Sequence, residues 1–449
     1  MRQSGMKKIV AMLMVFTLTV TLVMQPNKAD AALDLAAESA ILVDAESGKI
    51  LYQKNIDAVL PIASMTKMMS EYLILEAIDE GRITWDQSVP ISDHIRQLSL
   101  YTALSNVPLR QDYTYTVKDL YESVAIYSAN ASTIALAELI YGSETAFVEQ
   151  MNEKGTELGI DREDFEFVNT TGLNNRDLLG NHPDGTGEEA ENMMSARATA
   201  QLAYALLRDY PEVLDTASIP TKVFEAGPDP DTERIMMTNW NWMLPTIETQ
   251  HDYEGVDGLK TGFTSAAGNA FTGTALRDDM RIISVVMRTE TRYDRFNETA
   301  KLLDYGFNNF KKIELFSEGH SLEGEEFIPV ASGKEREVGI SSNQALSTIV
   351  RNGQEDQYEA TLVLDQDKLN GDGELVAPFE AGERVGSLTL TSDTNEEEYL
   401  FSNQKDEVDV VTDAGVEKAG WFSMMMRGIG GFFSGIWTSA VDMVTGWFS

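Results

Sequence analysis

From Ser64 to Ala77 the chain sets Met65, Met68, Met69, Tyr72, Leu73 and Leu75 at helical spacing around nearly the whole circumference of one helix. A helix without a polar face must be wrapped by other elements, so this one belongs at the centre of a sizeable domain. The flanking sequence supplies the wrapping. Two apolar runs around a Gly-containing turn, from Ala40 to Tyr52, predict a β-hairpin. Leu259 to Phe263, Ala270 to Leu276 and Arg281 to Arg288 predict three short strands in an antiparallel meander. Helical periodicity recurs over Val117 to Ile140, broken at Ser128-Ala129-Asn130, and over Met194 to Leu207. It returns once more with Phe296, Ala300, Leu303, Phe307 and Phe310. Residues 160–192, rich in Gly, Asn and acids, read as a long surface loop. Strands drawn from both ends of residues 38–312, with helices between them, predict an α+β fold.

Composition changes at both ends of that domain. Lys7 and Lys8 precede an apolar run from Ile9 to Met24 and a small-residue exit, Ala29-Asp30-Ala31, the pattern of a secretory signal peptide over residues 1–31. The protein is therefore expected outside the cytoplasm. Beyond Lys312, residues 313–420 hold 25 acids against 7 bases and only short β-type runs, such as Ala360 to Leu364 and Val385 to Leu390. They predict a small acidic all-β domain. In residues 421–449 polar positions fall three, four or seven apart (Ser423, Arg427, Ser434, Thr438, Asp442, Thr445, Ser449) among Phe, Trp, Met and Ile. That spacing predicts an amphipathic helix lying on the outer membrane surface. The expected division is thus 1–31 signal peptide, 32–312 α+β domain, 313–420 β-rich domain and 421–449 anchoring helix.

Much chemistry is excluded by what the chain lacks. It has no cysteine, so disulfides, thiolate metal sites and a cysteine nucleophile are out. Its four histidines form no metal-binding pair, and neither a metal nor any other cofactor is expected. A net charge of −37 argues against a nucleic-acid partner, because neutralising phosphates takes clustered Lys and Arg.

Without a Gly-x-Ser-x-Gly elbow, a nucleophile has to be activated by something other than the serine–histidine route. Ser64-Met65-Thr66-Lys67 offers one. Spacing of three on a helix puts serine and lysine on one face, and the helix start supplies N–H groups for a developing negative charge. Ser-x-x-Lys alone is weak, recurring at Ser4/Lys7 and Ser402/Lys405, and Ser-x-Asn occurs at both Ser128/Asn130 and Ser341/Asn343. In isolation Ser64 reads equally as a helix cap and Ser128 as a turn residue. The ordered set within one domain is specific: Ser64-x-x-Lys67 opening a helix, Ser128-x-Asn130 in a helix break, Lys260-Thr261-Gly262 on a strand.

With Ala63 to Met69, Tyr127 to Asn130, Thr171-Gly172-Leu173-Asn174-Asn175 and Asp257 to Gly262, the chain resembles the low-molecular-weight D-alanyl-D-alanine carboxypeptidases. The likeness is to the penicillin-binding protein 5 type, as in the vegetative enzymes of Bacillus-like bacteria, and extends from about residue 33 to the C-terminus. The resemblance implies that Ser64 is the acyl-ester nucleophile, Lys67 its proton acceptor and Ser128 a proton relay. Asn130, Lys260, Thr261 and Gly262 would bind the substrate, the backbone of Ser64 and Phe263 would form the oxyanion hole, and Arg295 would hold the terminal carboxylate. Arg295 reads alternatively as a solvated helix charge. The implied partners are peptidoglycan stem peptides ending in D-Ala-D-Ala and, as covalent inhibitors, β-lactams. A D,D-endopeptidase and a class A-like β-lactamase are the alternatives, although no Glu-x-x-Leu-Asn string lies between Asn130 and Lys260. Two positions depart from the family pattern: Ala198 replaces an Asp common in relatives, and Phe263 replaces their His or Tyr.

Overall fold

The computed structural model describes residues 33–229, 231–245, 250–392 and 398–421; the expected signal peptide and, apart from Trp421, the expected C-terminal helix lie outside the described residues. Five antiparallel strands form the main sheet: β1 (Ser39–Asp44), β2 (Ile50–Lys54), β3 (Val256–Thr264), β4 (Gly268–Arg277) and β5 (Met280–Thr289). They lie in the order β3-β4-β5-β1-β2, so β1 pairs with β5 across most of the chain length, Ala40 opposite Val286. Every residue of β1 is buried, which is why it reads as an unbroken apolar run rather than an alternating one.

Helices cover both faces of this sheet. On one side Gly306 of a helix spanning Arg292–Asn309 lies against Leu42 and Ile282. Strand alternation sends Ile41, Val43, Ile283 and Val285 the other way, into the main apolar core with the helices α1 (Lys67–Asp79), α2 (Val117–Tyr127), α3 (Asn130–Tyr141), α4 (Glu144–Glu157) and α5 (Ala196–Asp209). We label the Arg292–Asn309 helix α6. Ten residues of α1 are buried, as its sequence requires. Local chemistry sets the helix starts: Thr116 with Asp119 and Thr291 with Asp294 form capping boxes, and Ser143 and Ser195 cap α4 and α5 through their hydroxyls.

Two expectations need correction. The helix expected to include Phe310 ends at Asn309, and Phe310 opens a strand, β6 (Phe310–Phe316), that pairs with Leu346–Arg351. The segment 160–192 is irregular but is not a surface loop throughout, for Asn169, Thr170, Thr171, Asn175 and Asn192 are fully buried. Buried irregular backbone is tolerable only when its polar groups are satisfied. Here Asn192 Oδ1 accepts from the N–H groups of Val168 and Asn169, and Asn169 Oδ1 accepts from those of Thr171 and Gly172.

Among the described residues after β6, strands predominate, with one short 3-10 turn at Glu355–Gln357. A six-stranded sheet, in which Tyr358–Leu364 pairs with Arg384–Ser392, encloses its own core of Ile328, Val338, Ile340, Val385, Leu388 and Val410. One strap from this part returns to the first. Leu400 N–H bonds the Gly48 carbonyl at 2.9 Å and Ile50 N–H bonds that of Glu398 at 2.8 Å, along the outer edge of β2. The Leu400 side chain sits in the main core, and Gln201 Nε2 donates to its carbonyl at 2.7 Å.

Candidate active site

Ser64 lies in a short 3-10 turn, Ala63–Thr66, that runs directly into α1 at Lys67. Ala63 has φ of 48°, a left-handed conformation unfavourable for a residue with a Cβ, so the turn is held by its surroundings rather than by local preference. Two glycines let those surroundings close in. A Cβ on Gly172 would fall 1.8 Å from the Ala63 carbonyl oxygen, and one on Gly262 would fall 2.6 Å from that of Ile62. The 169–173 loop and strand β3 therefore press on the serine turn.

Lys67 is fully buried and its Nζ reaches three oxygens: the Thr171 carbonyl at 2.6 Å, Asn130 Oδ1 at 2.8 Å and Ser64 Oγ at 3.0 Å. Burial pulls its proton affinity well below the ordinary lysine range; the Lys260 cation adds to this, and the Glu71 carboxylate opposes it less strongly. Lys260, on β3, donates to Ser128 Oγ at 3.0 Å. Burial brings Lys260 down to about 8, with Glu71 resisting and Arg295 assisting.

Ser128 occupies the junction between α2 and α3 in a left-handed conformation, φ 60°. Neighbouring groups fasten that junction. Asn130 Nδ2 donates to the Ser105 carbonyl at 2.9 Å, while Trp240 Nε1 sits 3.1 Å from both Ser105 Oγ and the Tyr127 carbonyl. Thus Lys67 bonds Ser64 and Asn130, Lys260 bonds Ser128, and the two lysines are near enough for the Lys260 charge to act on Lys67. Thr261 is buried beside Lys260, and Phe263 leaves its side chain 59% exposed.

Arg295, expected to meet the terminal carboxylate, is buried in α6 rather than solvated, and its Nη1 donates to the Gly262 carbonyl at 3.3 Å. Burial and then Arg292 lower its proton affinity to about 9, which leaves it cationic near neutral pH. Ala198, where relatives carry Asp, is fully buried with its N–H bonded to Ser195 Oγ at 3.0 Å. The repeated motifs do not join the cluster: Ser341 bonds Asp413 and Lys405 pairs with Glu407, both in the β-rich part, and Ser4/Lys7 lies outside the described residues.

Sequence reasoning missed Glu71 and Glu144, and it named Thr171 only as part of a motif, without a role for its carbonyl. Glu71 stands four residues after Lys67 on the same helical face, 3% exposed, and burial lifts its carboxyl to about 7 against the pull of Lys260 and Lys67. An acid four residues after Lys67, among the apolar positions of the helix, was the available signal. Among the described residues no group of three His, Asp or Glu side chains could hold a metal.

Residues 25–291 match the family described as D-alanyl-D-alanine carboxypeptidase, and residues 310–418 match the penicillin-binding protein 5 C-terminal domain. The D-alanyl-D-alanine carboxypeptidase DacF of Bacillus subtilis is 29% identical over 90% of this chain and 92% of its own. Among solved structures, the peptidoglycan synthesis regulatory factor PBP3 of Streptococcus pneumoniae is 34% identical, covering 85% of this chain and all of its own, with a TM-score of 0.72. Penicillin-binding protein D2 of Listeria monocytogenes, solved in an ampicillin-bound form, is 33% identical over 63% of this chain and all of its own, with a TM-score of 0.50. The fold is thus that of the penicillin-binding transpeptidase-like proteins, followed by a C-terminal β domain. Since the first match takes in all three motifs and more than half of the chain, this protein belongs to the D-alanyl-D-alanine carboxypeptidase family.

Proposed function

We propose that this serine-type D-Ala-D-Ala carboxypeptidase removes the terminal D-alanine of peptidoglycan stem pentapeptides through an acyl-enzyme on Ser64, and that β-lactams acylate the same oxygen. The observation that carries this reading is the valence of Lys67. An uncharged amine has two N–H bonds and one lone pair. As an ammonium Lys67 donates to all three oxygens; once uncharged, it keeps its two N–H bonds on the Thr171 carbonyl and Asn130 Oδ1 and turns its lone pair to the Ser64 hydroxyl.

Ser64 Oγ attacks the carbonyl between the two D-alanines as its proton passes to Lys67 Nζ. The tetrahedral oxyanion is held by the N–H groups of Ser64 and Phe263. Collapse breaks the C–N bond, and Ser128 relays the proton from Lys67 to the departing amine, the Lys260 charge keeping the relay hydroxyl oriented. Asn130 orients the substrate amide. Lys260 and Thr261 bind the terminal carboxylate, and Arg295 supports them through the Gly262 backbone. Water then hydrolyses the ester to release the shortened peptide. D-Alanine release from diacetyl-Lys-D-Ala-D-Ala, together with covalent labelling by fluorescent penicillin, tests the reading. Both signals should vanish in Ser64→Ala, and labelling that persists there overturns it.

Members of this family act on peptidoglycan outside the cytoplasm. Residues 1–31 direct this chain there, residues 32–312 and 313–420 form the catalytic and β-rich domains, and residues 421–449 attach the enzyme to the membrane surface. The support is the sequence pattern alone. Among the described residues no helix is long and apolar enough to cross a membrane.

A further inference from the structure

The shortest hydrogen bond of Lys67 goes to the carbonyl of Thr171, in a loop without regular structure. A base aimed by a loop carbonyl is only as well aimed as the loop is held. The neighbouring residue, Thr170, is held from two sides. Ser70 of α1 donates to its carbonyl at 2.7 Å. From the other side Glu144, the first residue of α4, accepts from the Thr170 N–H at 3.0 Å and from its hydroxyl at 2.8 Å, both through Oε1.

We propose that Glu144 is a positioning residue for the general base: through Thr170 it fixes the Thr171 carbonyl, so that one N–H of the neutral Lys67 amine is consumed there and the lone pair faces Ser64. Glu144 acts through the loop and has no bond to Lys67 or Ser64. This inference rests on Lys67 being the base.

Three observations support it. Glu144 is only 7% exposed, and its Oε2 is buried without a hydrogen-bond partner. A buried carboxyl with an unsatisfied oxygen is costly, and packing alone would be served as well by an apolar side chain. The carboxyl also projects from a long, capped helix rather than from a loop, and rigid elements are what hold a site to the tolerance catalysis needs. Finally, the bond it makes is duplicated on one residue: N–H and hydroxyl of Thr170 both point at the same oxygen, which fixes that residue's rotamer and its backbone together.

The test compares Glu144→Ala, Glu144→Gln and Thr170→Val for kcat and KM on diacetyl-Lys-D-Ala-D-Ala, and for the rate of acylation by fluorescent penicillin. Because a small misplacement of a reacting group costs up to about 100-fold, Glu144→Ala should lower kcat and acylation about 10- to 100-fold. KM should stay within about twofold, since carboxylate binding lies elsewhere in the cleft. Only an acceptor oxygen is required, so Glu144→Gln should recover activity to within about threefold. Thr170→Val, which keeps the N–H bond and loses the hydroxyl bond, should fall between, and it decides the question if Glu144→Ala does not fold. Unchanged acylation in folded Glu144→Ala or Thr170→Val overturns the proposal, as does a loss in Glu144→Ala that Gln does not repair. Normal acylation in Lys67→Ala instead overturns the base assignment itself, independently of Glu144.

Discussion

Asn130 Oδ1 accepts a 2.8 Å hydrogen bond from Lys67, and the same amide donates through Nδ2 to the Ser105 carbonyl at 2.9 Å. The orientation of this amide is therefore fixed from outside, and it offers Lys67 an acceptor and never a donor. Such an environment suits an amine with two N–H bonds to place.

Lys67→Arg should accordingly be close to inactive. A guanidinium stays protonated, has no lone pair to offer Ser64, and cannot fit its planar fork to the Thr171 and Asn130 oxygens. D-Alanine release should fall by at least about 10³-fold, in line with loss of a general base. Substantial turnover in this variant would show that another group takes the serine proton.

The pH profile follows from two lysines in opposite required states. Activity needs Lys67 without its proton and Lys260 with it. Burial and the Lys260 charge set the first low, so they place the acid limb below the ordinary lysine range. Lys260 loses its proton near 8, so kcat/KM for a peptide with a free terminal carboxylate should decline above that pH. Lys260→Ala should cost about 10²-fold with that substrate, and the same peptide amidated at its C-terminus should already be a poor substrate for the wild type. If amidation leaves turnover unaltered, carboxylate recognition is wrong.

Glu144 makes stability depend on pH in a direction opposite to the usual carboxylate. Burial raises its carboxyl from 4.5 to about 7, outweighing the Thr170 bonds; Glu138 pushes the same way and His182 the other. Between those values the folded protein holds a proton that the unfolded chain releases. The stability linked to this proton is complete below 4.5 and is lost as the pH rises through about 7. The urea midpoint should fall from about pH 5 to about pH 8, and Glu144→Gln should make that fall shallower. An identical slope in the variant would mean that Glu144 ionises normally.

Membrane attachment should be hydrophobic. The adjoining 313–420 segment carries 25 acids and 7 bases and is repelled by anionic lipid, whereas the tail offers Phe422, Met425, Phe432, Phe433, Ile436, Met443, Trp447 and Phe448. Half-burying those side chains contributes on the order of 6–12 kcal/mol gross. Detergent should release the protein, about 1 M salt should not, and a chain ending near Gly420 should be soluble and active. Release by salt alone would overturn the hydrophobic anchor.

The sequence made α1 legible because a helix without a polar face has one place to go, and it made the cluster legible because three short motifs recur in order. The packing of the 169–175 loop was not legible. Its buried backbone is satisfied by Asn169 and Asn192, and Asn192 stands twenty-odd positions from the groups it serves, beyond the reach of any local pattern. The same holds for Glu144, which has the composition of an ordinary first-turn acid and shows its role only once Thr170 is seen folded against it. Phe310 fitted the helical spacing, yet β6 claimed it through pairing with Arg351, a partner that periodicity cannot reveal.

The strap around Leu400 means that the two domains do not melt separately. With Leu400 inside the main core and the 398–400 backbone closing the free edge of β2, the β domain completes part of the first domain's interior. Heating should produce one cooperative transition, and Leu400→Ala should lower it by the equivalent of about 2–5 kcal/mol. A fragment cut at residue 312 would uncover an unpaired strand edge, a ready template for aggregation. The acidic β domain thus shields one edge of the sheet that carries Lys260.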